Sequence, residues 1–272
     1  MSGNVTGLIG YPVAHSRSPC IHNFWRQRYG ISGRYELLPI PPEQLAGKIS
    51  QLKARGLIGF NVTVPHKITI MDYVDGVDEA AQKIGAVNIV THHNGKWQGS
   101  NSDAYGFITH LRAALGELTP YLPRVVLLGA GGAARAAVVA LQEAKAGEIV
   151  VINRTPESAR KLGAEFGVQI APWDKREAVL SRATLLVNTT SLGMTGKEKL
   201  PLNLENLPHS AAVYDIVYAP LETDLLRDAR LRGHRAVDGL GMLLYQAQRA
   251  FALWHGVTPA VDEALRKEVL KS

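Results

Sequence analysis

Cysteine is nearly absent: Cys20 stands alone in 272 residues. No internal disulfide can form, and the chain suits a reducing compartment. Long hydrophobic runs are missing too. The most apolar stretch, "VVLLGAGGAA", falls far short of the ~20 residues that span a bilayer and ends at Arg135. The amino terminus, "MSGNVTGLIGYP", has neither a basic nor an apolar region, so no secretory leader is expected there and a cytoplasmic location is. There is no internal repeat, low-complexity tract or heptad run. His15, His22, His66, His92 and His93 fall in no metal-ligand spacing, and no metal is expected. The net charge is +6, but the basic residues form no long run. Nucleic acid, an anionic small molecule or a plainly basic surface would each accommodate that excess. The small molecule is the partner expected here, with no nucleic acid and no membrane.

What is present reads as a globular α/β chain. Hydrophobic residues make up 46% and charged residues 20%, ordinary proportions for a folded domain. The length favours two domains. Strands and helices alternate nearly throughout, which predicts mostly parallel sheets. "VTGLIG" is a strand, Ser18 reads as a helix N-cap before Pro19, and "RYELLPI" and "GFNVTV" are further strands. Helical material is expected from Pro65 to about Ile84. Asn94-Gly95 marks a hairpin turn between "AVNIVTHH" and "KWQGS". A helix follows from near Ser102. Composition shifts at "GELTPYLPR", where a second domain begins. Two amphipathic helices, "GMLLYQAQRAFALWHG" and "PAVDEALRKEVL", close the chain and could pack back on the first domain.

The second half carries the sharpest local signal. Strand Val125–Leu128 runs into Gly129, Gly131 and Ala134 at G-x-G-x-x-A spacing, and a helix follows. Gly129 permits the tight turn, Gly131 lets backbone approach a pyrophosphate, and Ala134 allows close helix packing. Ala130, Gly132 and Ala133 complete the loop, whose helix supplies free N–H groups to phosphates. The next strand, "EIVVI", ends at Asn153, Arg154 and Thr155. No acid stands there to hold a ribose 2′-hydroxyl or repel a 2′-phosphate, and a guanidinium can grip that phosphate. NADP is therefore favoured over NAD. Packing alone is the competing explanation for the glycines, and a solvated side chain for Arg154.

A nicotinamide site implies hydride transfer, and transfer to a carbonyl needs a proton donor beside it. Lys67, in "FNVTVPHK", can be that donor. Asp103, in "GSNSDAYGF", can aim it and keep it charged, although a lone Asp there also suits a helix start. Ser16 and Ser18 can hold a carboxylate or hydroxyls of a polar substrate, or simply cap the helix after Pro19.

In order along the chain, "NVTVPHK", "GAVNIV", "NSDAYGF", "GAGGAAR", "VINRT", "VNTTSLGM", "DIVYAPLETDLL" and "DGLGMLLYQA" resemble the shikimate dehydrogenase family, from about Gly7 to Trp254. The resemblance implies NADP-dependent, reversible reduction of 3-dehydroshikimate to shikimate, on the way to aromatic amino acids. It implies an N-terminal α/β substrate domain (1–104 with 239–272), a doubly wound Rossmann-type NADP domain (105–238), and a cleft between them. Ser16 and Ser18 resemble the carboxylate-binding pair. Thr63, Asn88, Gln246 and Tyr218 resemble substrate-binding positions, and Lys67 and Asp103 the catalytic pair. Gly129–Ala133, Asn153, Arg154 and Thr155, with Val217, Gly239 and Met242 toward the nicotinamide, resemble cofactor-binding positions. Two departures stand out. Asn101-Ser102-Asp103-Ala104 replaces the usual N-T-D-G, and Ser158 stands where many NADP-specific members have a second arginine. Two relatives of this reading remain: a quinate-oxidising sibling using NAD, and an NADP-binding regulatory module without turnover. A folate-type methylene dehydrogenase would not be expected to carry the Ser16/Ser18 pair. A monomer or homodimer is expected.

Overall fold

The computed structural model describes residues 4–271. Its first elements are β1 (Val5–Gly10), α1 (Ser18–Arg28), β2 (Arg34–Pro39), α2 (Leu45–Ala54), β3 (Gly59–Val62), β4 (Gly76–Val77), α3 (Glu79–Ile84), β5 (Ile89–His93) and β6 (Lys96–Ser100). Then come α4 (Asp103–Leu115), β7 (Arg124–Leu128), α5 (Gly132–Glu143), β8 (Glu148–Ile152), α6 (Pro156–Phe166), β9 (Gln169–Ala171), α7 (Arg176–Val179), β10 (Leu185–Asn188) and β11 (Ala212–Asp215). The chain ends with α8 (Asp224–Leu231), β12 (Arg235–Val237), α9 (Leu240–His255) and α10 (Glu263–Lys271). Two compact units result. One holds the residues up to Ser102 and those from Leu244 onward; the other is Asp103–Leu243.

The discontinuous unit contains a mixed sheet in the order β2-β1-β3-β5-β6-β4. β1 runs parallel to β2 and β3, and β5 antiparallel to β3 and β6. The β5–β6 hairpin turns at Asn94 (φ 50°) and Gly95 (φ 76°), the left-handed pair that a two-residue hairpin demands. Ile9, Phe60, Val62, Val90 and Trp97 form one core with Leu45, Ile49 and Leu52, whose spacing makes one apolar stripe along α2. On α1, fully buried Trp25 donates its indole N–H to the Ala260 carbonyl at 2.9 Å. Trp254 of α9 donates to the Val90 carbonyl at 3.1 Å. These bonds tie the C-terminal segment to α1 and β5.

Two local expectations change. No helix runs from Pro65 to Ile84: a turn, a short 3₁₀ segment (Thr69–Tyr73) and β4 precede α3. The Thr63 carbonyl accepts from His66 N–H at 3.0 Å and the Lys67 carbonyl from Val87 N–H at 2.7 Å, so neither feeds a helical ladder. The true helix start is Asp78, whose carboxylate accepts from Ala81 N–H at 2.8 Å. Ser18 is not an N-cap either. It already lies in α1, the cap position is Arg17, and no side chain caps that position.

The continuous unit holds an all-parallel sheet in the order β12-β11-β10-β7-β8-β9. Val125–Leu128 and Leu185–Val187 are fully buried, as strands covered on both faces must be. Strand order reverses between β7 and β10, where such sheets open a crevice at their carboxyl ends. Leu128, Asn188 and Asp215 lie level with one another at those ends.

Candidate active site

In the discontinuous unit, Ser16 and Ser18 lie together. Ser16 Oγ donates to Ser18 Oγ at 3.1 Å and accepts from Ser18 N–H at 3.2 Å. Ser16 thus holds the first N–H of α1, which is not one an N-cap side chain serves. Ser18 is buried beside the Tyr35 hydroxyl. Tyr35 donates to Asn61 Oδ1 at 2.8 Å, and Asn61 Nδ2 donates to the Asn88 carbonyl at 3.1 Å. Burial holds the Tyr35 hydroxyl well above its ordinary ionisation range, so it remains a neutral donor.

Asn88 stands just before β5 and is buried. Its Nδ2 donates to Gln246 Oε1 and to Ser102 Oγ, each at 3.2 Å, while its Oδ1 accepts from Ser102 N–H at 2.9 Å. Ser102 Oγ returns to the Gln246 carbonyl at 3.0 Å. Asn88, Ser102 and Gln246 therefore form one fixed polar shell. Thr63 and Lys67 adjoin it through the backbone: Val62 N–H bonds the Asn88 carbonyl at 2.9 Å, and Val87 N–H bonds the Lys67 carbonyl. Beneath the turn, buried His66 holds the Ile40 carbonyl through Nε2 at 2.6 Å, which puts the ring proton on Nε2. Lys67 itself is half-buried. Asp103 is buried and opens α4 in the continuous unit.

The continuous unit carries the expected cofactor residues. Gly129 follows β7 at φ 109°, a conformation closed to most side chains. Gly131 and Gly132 leave their Cβ positions open, with nothing within 4 Å, and no side chain caps α5. Together with Ala130 and Ala133 they leave bare N–H groups at the start of a twelve-residue helix, which fits a pyrophosphate. Asn153, Arg154 and Thr155 stand after β8; Asn153 Nδ2 donates to the Thr155 carbonyl at 3.0 Å. Exposed Arg154 pairs with Glu198 at 3.0 Å. Val217 and Met242 are buried and Tyr218 half-buried. Gly239 N–H bonds the Val217 carbonyl at 3.1 Å, and a Cβ at 239 would lie 2.0 Å from the Ile216 carbonyl oxygen. Only glycine lets these backbones meet so closely.

Sequence reasoning missed four residues, Ser102 of the polar shell among them. Tyr35 and Asn61 had no signal beyond the polar Asn within an apolar strand. Asp215 is fully buried, yet its partners are all neutral. Its Oδ1 accepts from Asn188 Nδ2 at 2.9 Å and Val217 N–H at 3.0 Å, and its Oδ2 from the Thr223 hydroxyl at 2.7 Å. Burial pushes its carboxyl up to about 6 against those three bonds. Two neighbouring strands that both end in a polar residue, "LLVN" and "AVYD", were the available clue. Among the described residues no cluster of His, Cys, Asp or Glu could hold a metal, and no helix is long and apolar enough to cross a membrane.

Fold and site define a class: a two-unit α/β oxidoreductase whose Rossmann-type sheet carries a dinucleotide loop. The particular family comes from the chain's likeness to known proteins. Three family models match: the shikimate dehydrogenase substrate binding domain (residues 8–90), shikimate/quinate 5-dehydrogenase (117–196) and the shikimate 5′-dehydrogenase C-terminal domain (239–267). A shikimate dehydrogenase (NADP(+)) of Paramagnetospirillum magneticum is 47% identical over 99% of this chain and 100% of its own. The Thermus thermophilus shikimate 5-dehydrogenase, crystallised with NADP(H) and shikimate, superposes with a TM-score of 0.89 at 38% identity, covering 98% of each chain. A Corynebacterium glutamicum quinate dehydrogenase in complex with NAD gives 0.92 at 29% identity over 99% of each. The chain belongs to the shikimate/quinate dehydrogenase family.

Proposed function

We propose that this chain reduces 3-dehydroshikimate to shikimate with NADPH and catalyses the reverse with NADP. The observation that carries this reading is the polar shell of Asn88, Ser102 and Gln246 beside the Lys67 turn. Its amide and hydroxyl groups suit a ring bearing several hydroxyls, and each is held by a neighbour before substrate arrives. Ser16 and Ser18 receive the substrate carboxylate, and Thr63 and Tyr218 contribute further donors to the ring. The discontinuous unit is assigned to substrate and the continuous unit to NADP.

The nicotinamide, when bound, supplies the hydride in one direction and accepts it in the other. The Lys67 ammonium donates its proton to the carbonyl oxygen as it becomes a hydroxyl, and the neutral amine takes that proton back during oxidation. Asp103 is the second residue assigned to the proton transfer. Gly129 through Ala133 seat the pyrophosphate on the α5 amino terminus, Arg154 with Asn153 and Thr155 holds the 2′-phosphate, and Val217, Gly239 and Met242 border the nicotinamide. We place the protein in the cytoplasm, as a monomer or homodimer.

Initial rates of the purified protein with shikimate and quinate, each against NADP and NAD, test the reading. Shikimate with NADP should be the fastest pair by at least roughly tenfold, a difference of about 1.4 kcal/mol in transition-state binding. Faster oxidation of quinate with NAD would overturn it.

A further inference from the structure

The sheet order says where each half of a dinucleotide must lie. A bound dinucleotide would place its pyrophosphate at the loop after β7 and its adenosine ribose at the end of β8, on one side of β7. The other half would then extend across the switch point, over the carboxyl ends of β10 and β11. Two loops rise there, and one side chain joins them. Through Asn188, Asp215 holds the β10 loop: Asn188 Oδ1 accepts from Thr190 N–H at 3.0 Å and from the Thr190 hydroxyl at 2.7 Å, and Thr190 Oγ1 accepts from Leu192 N–H at 3.1 Å. Asp215 holds the β11 loop directly, through Val217 N–H, and holds the N-cap of α8 through Thr223. Thr189, in the first loop, bonds the Leu128 carbonyl at 2.6 Å and so abuts Gly129.

We propose that Asp215 is a positioning residue for the nicotinamide half of the cofactor, tying the β10 and β11 loops into one wall. The inference rests on the NADP reading above. A carboxylate buried among neutral donors is a costly way to fill space. The same atoms accepting three bonds from three segments is what a joint requires. Asn188 is its working partner, since Asn188 alone passes the constraint to Thr190 and Leu192.

Binding measurements with two probes separate this role from general support of the fold. NADP and adenosine 2′,5′-bisphosphate, which lacks the nicotinamide half, are titrated calorimetrically into wild type, Asp215→Asn, Asn188→Asp and the swapped double variant. Each single variant should weaken NADP roughly tenfold, the scale of losing a hydrogen bond to a charged group, and leave the bisphosphate within twofold. The swapped pair restores one carboxylate facing one amide and should recover part of the NADP affinity. Equal weakening of both probes, or unchanged NADP binding with only a lower melting temperature, would assign Asp215 to the fold and overturn the proposal. If a single variant fails to fold, the swapped pair still decides the matter by the same two titrations. Failure of wild type to bind NADP would instead remove the reading beneath it.

Discussion

Lys67 is the residue on which the chemistry turns, and Lys67→Met separates charge from shape because it keeps the apolar stem. Turnover should fall by roughly 10²–10⁴-fold, the usual worth of a positioned acid or base, while the NADP dissociation constant stays unchanged. Single-turnover and fluorescence titrations measure the two. Near-normal turnover would leave Lys67 a solvated side chain on a turn. Arg154 poses a question of competition, because Glu198 already pairs with it. Both side chains are exposed, and such a pair is worth only about 0–1 kcal/mol, so a phosphate displaces Glu198 readily. Arg154→Ala should therefore still raise the Michaelis constant for NADP roughly tenfold with little change for NAD; equal losses would make Arg154 structural. At the serine pair, Ser18→Ala should weaken shikimate binding without loss of NADP affinity. Ser16→Ala should lower the melting temperature as well, since Ser16 Oγ accepts the Ser18 N–H.

At the scale of elements, the strand ends carry the most. Folded Asp215 keeps its proton up to about pH 6, whereas the unfolded chain releases it near 3.8. Between those values folding takes up a proton, so stability falls as pH rises through that window. The cost above it is on the order of 3 kcal/mol. Urea unfolding of Asp215→Asn should lack this fall, and an unchanged pH profile would refute it. Gly239→Ala should be more damaging, because its Cβ meets the Ile216 carbonyl. The glycine loop after β7 and the Asn94-Gly95 turn were legible in sequence because each rests on local backbone chemistry. The helix foreseen from Pro65 was not, since Val87, twenty residues on, claims the Lys67 carbonyl. Ser18 was misplaced by one position: it is the first residue of α1 rather than its cap, and Ser16 Oγ accepts its N–H. The Asn88–Gln246 bond spans two distant parts of the chain, and no local pattern encodes it. Resemblance named those two residues; only the fold shows what holds them.

For the whole molecule, buried groups in the two units answer acid in opposite senses. In the discontinuous unit His22 is fully buried, stacks on Tyr35 at 4.3 Å, and has no hydrogen-bond partner on either ring nitrogen among the described residues. Burial, then His255 and Arg26, hold it well below 6.5, and burial brings His255 to about 4. The unfolded chain gains protons there that the folded unit refuses, so this unit loses stability as pH drops below about 6.5. In the other unit Asp215 acts in the opposite sense, against buried His234, which burial lowers as it does His22. Hydrogen exchange should show protection of β1 and β3 falling between pH 7 and 5 while that of β10 and β11 holds; parallel changes would contradict it. The discontinuity of the first unit has a consequence in time. A ribosome completes every residue of Asp103–Leu243 before it starts on Leu244, so Trp25 and Val90 wait, with their partners Ala260 and Trp254 unmade, while the inserted unit can already close. Biogenesis thus runs against the order of the sequence: the unit begun first can be completed only last, once the final helices have left the exit tunnel.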